Sequence, residues 1–356
     1  MTARFLVAFL LALFFNSAYA TLEECYHKGL DKDYEKVLEL CKPYLKTDAR
    51  ATGLLAEAHI QLDQGDKVAL EDAQWAVDFY EKNGAPTDPE GLKAYSYLVY
   101  LIGELYFFGS DDVKVDQQKG LDYIIKSANL GYSVAQNQLG NFYVRSGKVP
   151  GANFAKAFKW YKLAIANGSL DARNAFLVRN EQSFIAKYPY CISQGKTLIG
   201  DAYFNGQAGL PKDIDMAIEW YNKAYSIDDH IAPVEVSLAR AYIAKGDKKT
   251  AYKYTREAIT QPYAPAFVVM SELTDNDVAK YAYLSEAIAL FKNPELSYWS
   301  QFNEYCQLDI SDKGLKDAQE KLSKIKLTKE EVEIANSEED SLRSHWQSIQ
   351  AAQDMA

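Results

Sequence analysis

Leu139-Gly140-Asn141-Phe142-Tyr143, followed by Ala157-Phe158-Lys159-Trp160-Tyr161-Lys162-Leu163-Ala164 and Gly168, is the stretch on which the fold turns. Ala135, Leu139 and Tyr143 lie at i, i+4 and i+8, the stripe of one helix. Ala157, Trp160, Tyr161 and Ala164 lie at i, i+3, i+4 and i+7, the stripe of a second. A glycine inside a helix costs about 1 kcal/mol against alanine, so Gly140 needs a packing reason. Close approach supplies it: Gly140 and Ala157 let the two helices touch, and Tyr143, Trp160 and Tyr161 fill the space beside the contact. Gly147 and Gly168 fit helix ends, where a left-handed residue is wanted.

The same pair recurs along the chain. Ile102 to Ala135 aligns without a gap on Leu139 to Ala172, an offset of 37, so that Gly103 meets Gly140, Tyr106 meets Tyr143, and Tyr123 meets Trp160. This copy departs at Gly120, where Ala is expected, and at Tyr123-Ile124 in place of Trp-Tyr, which predicts looser internal packing. A further copy lies 60 residues on, with Gly200, Tyr203, Ala217, Trp220-Tyr221 and Ala224 in the same places. Its loop, Asn205 to Pro211, breaks one helix before Asp213 starts the next. Leu238, Ala239, Tyr242, Ala251, Tyr254 and Ala258 form a shorter unit; its Ala251, Tyr254 and Ala258 follow Ala217, Trp220 and Ala224 by 34. Leu54 to Tyr80 and Pro265 to Phe291 read as further pairs, turning at Gly65-Asp66 and at Thr274 to Asp277. Fixed self-similarity of this length marks a stack of helical repeats.

The pattern LG-x-x-Y, a Gly-bearing loop, then A-x-x-WY-x-x-A-x-x-x-G resembles the Sel1-like repeat, the longer-looped relative of the tetratricopeptide repeat. The resemblance implies an all-α fold, a right-handed superhelical solenoid of antiparallel helix pairs, closed by a C-terminal helical cap or coiled-coil segment. The expected layout is a signal peptide over 1–20 and tetratricopeptide-like pairs over 21–92. Two Sel1-like repeats cover 93–172, an inserted helix and bend 173–192, and a third repeat 193–232. Further pairs cover 233–311, and charged C-terminal helices 312–356. Thr328-Lys329-Glu330-Glu331 is a capping box. Beyond it Val332, Ala335, Leu342, Trp346 and Ile349 share one apolar stripe, which either folds back on the last repeat or pairs with a second copy.

The first twenty residues read as an export signal: Arg4, an apolar run of 11 residues from Phe5 to Phe15, and the small-x-small site Ala18-Tyr19-Ala20. The run is short of the roughly 20 apolar residues a spanning helix needs, and no later stretch reaches that length. Cleavage would leave Thr21 first and, since Thr21 is not Cys, no lipid anchor. The net charge of −10 and scattered Lys and Arg argue against nucleic acid or anionic lipid. Four cysteines allow three pairings. Cys25 and Cys41 flank the turn of a short hairpin and are expected to bond, which leaves Cys191 with Cys306. For that distant pair, free buried thiols are the preferred alternative.

Signatures of chemistry are sparse. No Walker loop, dinucleotide fingerprint, HExxH, GxSxG or CxxC occurs, and no cofactor or metal is expected. His27, His59, His230 and His345 are far apart in sequence, and His59 takes a tyrosine position of other copies, so packing is its expected role. Ser193-Gln194-Gly195-Lys196 fits the SxxK of penicillin-interacting serine enzymes, as do Ser323 and Lys326, but Lys196-Thr197-Leu198 fails the companion KTG. A cell-wall or β-lactam-directed serine hydrolase is therefore the alternative, as is a structural oligomer joined through the C-terminal helix.

The expectation is a non-enzymatic scaffold in the periplasm or on the outer surface of a Gram-negative bacterium, binding cell-envelope or host proteins. By resemblance to tetratricopeptide proteins, the partner-binding residues on the concave face are Tyr100, Glu104 and Phe107, then Asn137, Asn141 and Val144. Thr197, Asp201 and Phe204 continue the series, with Arg240 and Ile243 in the fourth unit. Phe107 and Phe204 are expected to place rings on an open surface, which would invite a partner.

Overall fold

A computed structural model describes residues 22–144, 153–227, 231–293, 306 and 312–354, without the side chains of 176, 312–313 and 345–354. The export signal, Gly147 and His230 lie outside it, as do the side chains of His345, Trp346 and Ile349. Every regular element among the described residues is helical. The chain divides into two units, Met1–Gln136 and Asn137–Ala356. The first holds α1 (22–31), α2 (Tyr34–Leu40), α3 (Ala49–Gln61), α4 (Asp66–Asn83), α5 (Pro89–Phe108) and α6 (Gln117–Asn129). There follow α7 (Ser133–Val144), α8 (Phe154–Ala166), α9 (Phe176–Arg179), α10 (Glu181–Lys187), α11 (Pro189–Asn205) and α12 (Ile214–Tyr225). The last are α13 (Ala232–Ala244), α14 (Lys248–Ala258), α15 (Ala264–Leu273), α16 (Asp277–Lys292), α17 (Asp312–Ser323) and α18 (Lys329–Asp354).

One joint repeats from pair to pair and explains why the units start where they do. Asp116, Asn153, Asp213 and Asp247 cap α6, α8, α12 and α14, their side chains accepting from Lys119, Lys156, Met216 and Thr250 N–H. Each satisfies one of the donors a helix start leaves open. The backbone N–H of the same residue donates to the carbonyl of the repeat tyrosine (Tyr106, Tyr143, Tyr203 or Tyr242) at 2.8–2.9 Å. The LG-x-x-Y motif thus ends the first helix and anchors the second.

The glycine of that motif has a sharper reason than helix contact alone. A Cβ on Gly140 would lie 2.5 Å from the Tyr161 ring, and one on Gly200 would lie 2.4 Å from the Tyr221 ring. The ring lies on the bare backbone, and its hydroxyl reaches the next residue of the first helix: Asn141 at 3.0 Å, Asp201 at 2.8 Å. In the first copy the expected looseness is absent. Gly120 brings α6 so close to α5 that a Cβ would meet the Phe107 backbone nitrogen at 2.4 Å, and Ile124 is fully buried.

Apolar side chains gather in successive small clusters rather than one large core, as stacked pairs require. Both cysteine pairs are disulfide-bonded, Cys25–Cys41 with Cα atoms 5.2 Å apart and Cys191–Cys306 with 5.4 Å. The free thiols preferred for the distant pair are therefore corrected: Cys191 begins α11, and Cys306 is buried against it. The insertion is a 3-10 turn at Asp171–Asn174, then α9 and α10. The helix breaks at Tyr188, and Pro189 opens α11 in its first turn, where its missing N–H costs nothing.

At the far end α17 and α18 both pack on α16. Leu322, Ile325 and Leu342 join Phe267, Leu284 and Leu290, and Ala335 is fully buried. The capping box closes as expected: Thr328 N–H donates to Glu331 at 2.7 Å and Glu331 N–H donates to the Thr328 hydroxyl at 3.3 Å. Arg343 pairs at 2.9 Å with Glu286, whose carboxyl is pushed up to about 7 by burial, against the pull of Arg343. Over its described side chains, the apolar stripe of α18 is thus spent within the chain.

Candidate functional site

Within the second unit, α8, α11, α12 and α13 enclose a cleft with a cavity volume of about 470 Å³. Its long wall is α11, which presents Gln194, Thr197, Leu198, Asp201, Ala202 and Phe204 at helical spacing. Opposite stand Pro233, Val236, Ser237 and Arg240 of α13, with Tyr263 beside them. Lys159 enters from α8 and Tyr221 from α12. Thr197, Asp201, Phe204 and Arg240, expected to line a binding face, come together here.

The electrostatics centre on Asp201. Burial raises its carboxyl, while the Tyr221 hydroxyl, Lys159 and Arg240 pull the other way. Asp201 is half-buried and stands on the wall of the cleft. The Tyr221 hydroxyl is raised by burial and by Asp201; that of Tyr263 is pushed up to about 12, chiefly by burial. Burial lowers Lys159, and Asp201 partly restores it. Gln194 is 7% exposed and its Oε1 has no hydrogen-bond partner. A buried acceptor left so costs about 1–3 kcal/mol, which a donor brought by a ligand would recover.

Register explains why Arg240 stands free. Glu104, Asn141, Asp201 and Arg240 all follow the glycine, or Ala239, of the repeat. Two of them, Asn141 and Asp201, receive a tyrosine hydroxyl; in the fourth unit that tyrosine is replaced by Thr255, whose hydroxyl donates to Ala251 O at 2.8 Å. Arg240 is left exposed at the cleft.

The other expected residues lie elsewhere. Asn137, Asn141 and Val144 are on α7, outside the cleft lining, with Asn141 exposed; Ile243 is half-buried against the core around α13. In the first unit, the Tyr100 ring packs on Tyr132 at 5.2 Å, Tyr97 lies 6.1 Å from the same ring, and Glu104 raises the Tyr100 hydroxyl after burial does. Phe107 is corrected: it is 2% exposed, turned into the contact with Gly120, and the exposed ring is its neighbour Phe108 at 51%. Phe204 is half-buried and does reach the cleft.

Sequence reading missed Lys159, Gln194, Tyr221 and Tyr263. The adjacency of Lys159 to Trp160-Tyr161 and of Gln194 to the SxxK serine were the available signals; Tyr263 had none. As for that serine, Ser193 is fully buried, with its hydroxyl donating to Ala224 O at 3.1 Å. Lys196 pairs at 2.9 Å with Glu181. Ser193 thus offers no nucleophile to a substrate.

The Sel1 repeat model matches residues 96–132, 133–169 and 194–229. This chain carries three Sel1 repeats. Each match opens within a first helix or at its start and closes just past the second, so the repeats take in both the glycine–ring contact and the capped loop. Among solved structures, a Sel1 repeat protein from Oxalobacter formigenes matches at 14% identity and TM-score 0.35, over 87% of this chain and 98% of that one. A protective antigen of uropathogenic Escherichia coli with an SLR fold matches at 17% and 0.21, over 93% and 97%. A tetratricopeptide repeat protein from Parabacteroides merdae matches at 15% and 0.28, over 85% and 99%. No curated protein sequence matches.

Proposed function

We propose that this chain is an exported, non-enzymatic scaffold that holds cell-envelope or host proteins in the periplasm or on the outer surface of a Gram-negative bacterium. Sel1 and tetratricopeptide-like repeats are protein-interaction scaffolds, and such surfaces work by shape and a few anchors. The observation that carries the proposal is the α11–α13 cleft: it is open, and it joins apolar wall residues to two cations and to an unpartnered buried acceptor, Gln194 Oε1. Export is supported by the pattern of the first twenty residues and by the two disulfides, which belong to oxidising compartments. No helix among the described residues is long and apolar enough to cross a membrane.

The test is site-specific photo-crosslinking in the native cell. A photoreactive residue at Phe204 should capture a discrete envelope or host protein, and one at exposed Tyr252 on α14 should not. Identical adducts at both positions, or none at Phe204, would count against the scaffold. Fractionation of the same cells should find the chain outside the cytoplasm with all four cysteines blocked to alkylation.

A further inference from the structure

The cleft has a chemical bias that the scaffold proposal does not specify. In a chain of net charge −10, its lining holds Lys159 and Arg240 against the single carboxylate of Asp201. Neither cation has a carboxylate within ion-pairing distance among the described residues, whereas Lys126, Lys162, Lys196 and Lys223 do; Lys159 lies over the Trp160 ring at 4.5 Å. Asp201 is already engaged by the Tyr221 hydroxyl at 2.8 Å. The cleft therefore sets two cations against one carboxylate that is already hydrogen-bonded.

Its shape narrows the occupant further. Thr197, Asp201 and Phe204 span eight residues of α11, seven steps or about 10 Å at 1.5 Å each. That matches about three residues of extended chain at roughly 3.3 Å each, longer than a free inorganic anion. Leu198, Ala202, Phe204 and Val236 give an apolar wall beside the charges, and Gln194 Oε1 is an unpartnered buried acceptor suited to a main-chain N–H. A segment alternating acidic and apolar side chains meets all of these groups at once, since successive side chains of an extended strand point to opposite sides.

We propose that the α11–α13 cleft binds an extended acidic peptide segment of a partner protein, with Lys159 and Arg240 holding a side-chain carboxylate and Phe204 an adjacent apolar residue. This rests on the scaffold reading and names the chemistry of what is held.

Fluorescence anisotropy of the mature, disulfide-bonded chain at low salt tests it, with a labelled, C-terminally amidated Glu-Leu-Glu-Leu-Glu peptide as probe. The peptide should bind, and its Gln-for-Glu counterpart should bind at least about tenfold more weakly. Lys159→Ala and Arg240→Ala should each weaken binding about tenfold without lowering the unfolding temperature; Lys159→Arg should restore it, and Lys248→Ala, on the exposed start of α14, should change nothing. Equal affinity for the two peptides would overturn the proposal. So would binding that requires a free C-terminal carboxylate, displacement by inorganic phosphate as readily as by the peptide, or indifference to both alanine variants. Photo-crosslinking from Phe204 in a Lys159→Glu/Arg240→Glu chain separates the two claims. Capture that persists there leaves the scaffold standing and removes the acidic segment, whereas capture lost in that chain but kept in the parent supports both.

Discussion

The α5 face of the first unit and the α11–α13 cleft of the second share a repeat register and differ in charge. Where the first copy has Glu104 beside Tyr97, Tyr100 and Tyr132, the later units have Asp201 held by Tyr221 and then Arg240, flanked by Lys159. The glycine, the capped loop and the tyrosine carbonyl that receives the cap N–H are the same in both. The fold therefore fixes where these side chains stand and leaves their charge open. The charge a pair presents is set at the position after the glycine and by whether a tyrosine hydroxyl from the second helix already occupies it.

The two disulfides give the largest way to sharpen this contrast, one in each unit. Cys25–Cys41 closes a separation of 16 residues and Cys191–Cys306 one of 115. Chain-entropy arguments give about 3 kcal/mol for the first and about 5 kcal/mol for the second. Replacing Cys191 and Cys306 by Ser should cost more stability in urea than replacing Cys25 and Cys41, and equal costs would show that loop length does not govern. Next come the glycines. Gly120→Ala sets a Cβ against the Phe107 backbone and should cost about 3 kcal/mol, whereas Gly200→Ala meets only the Tyr221 ring and should cost about 1–2 kcal/mol.

Smaller effects separate the hydroxyl contacts. Tyr221→Phe should cost about 1.5–3 kcal/mol where the acceptor is charged Asp201, and Tyr161→Phe about 0.5–1.5 kcal/mol where it is Asn141. The smallest is in the pH profile. Glu57 in the first unit and Asp201 in the second are both raised, each chiefly by burial. Between the unfolded and the folded value the native state holds more protons, so stability falls as pH rises upward from about 4.5 for Glu57 and 3.8 for Asp201. Glu57→Gln and Asp201→Asn should each flatten that fall in a urea series across acidic pH. A steeper fall in either variant would reverse the assignment.

Much of this was legible in the sequence because the repeat encodes it locally. Aromatic rings and small residues at helical spacing mark each repeat pair from α5 to α14, with the glycine in the first three, and Asp213, legible as a helix start, caps α12. Phe107 was misread because of what packs against it. Spacing alone does not separate it from Phe204, which follows Asp201 by the same three residues and reaches the cleft; the difference is Gly120, where the missing side chain lets α6 close on Phe107. Lys159 and Tyr263 escaped because a cleft built from three repeats gathers residues whose spacing follows no single helix. The distant disulfide escaped for the same reason.

Hydrogen–deuterium exchange on the mature chain, alone and with the protein captured from Phe204, tests the central claim most directly. The account predicts slowed exchange over 197–205 and 233–243, with 97–107 unchanged. Protection confined to 97–107, or none in either segment, would contradict it.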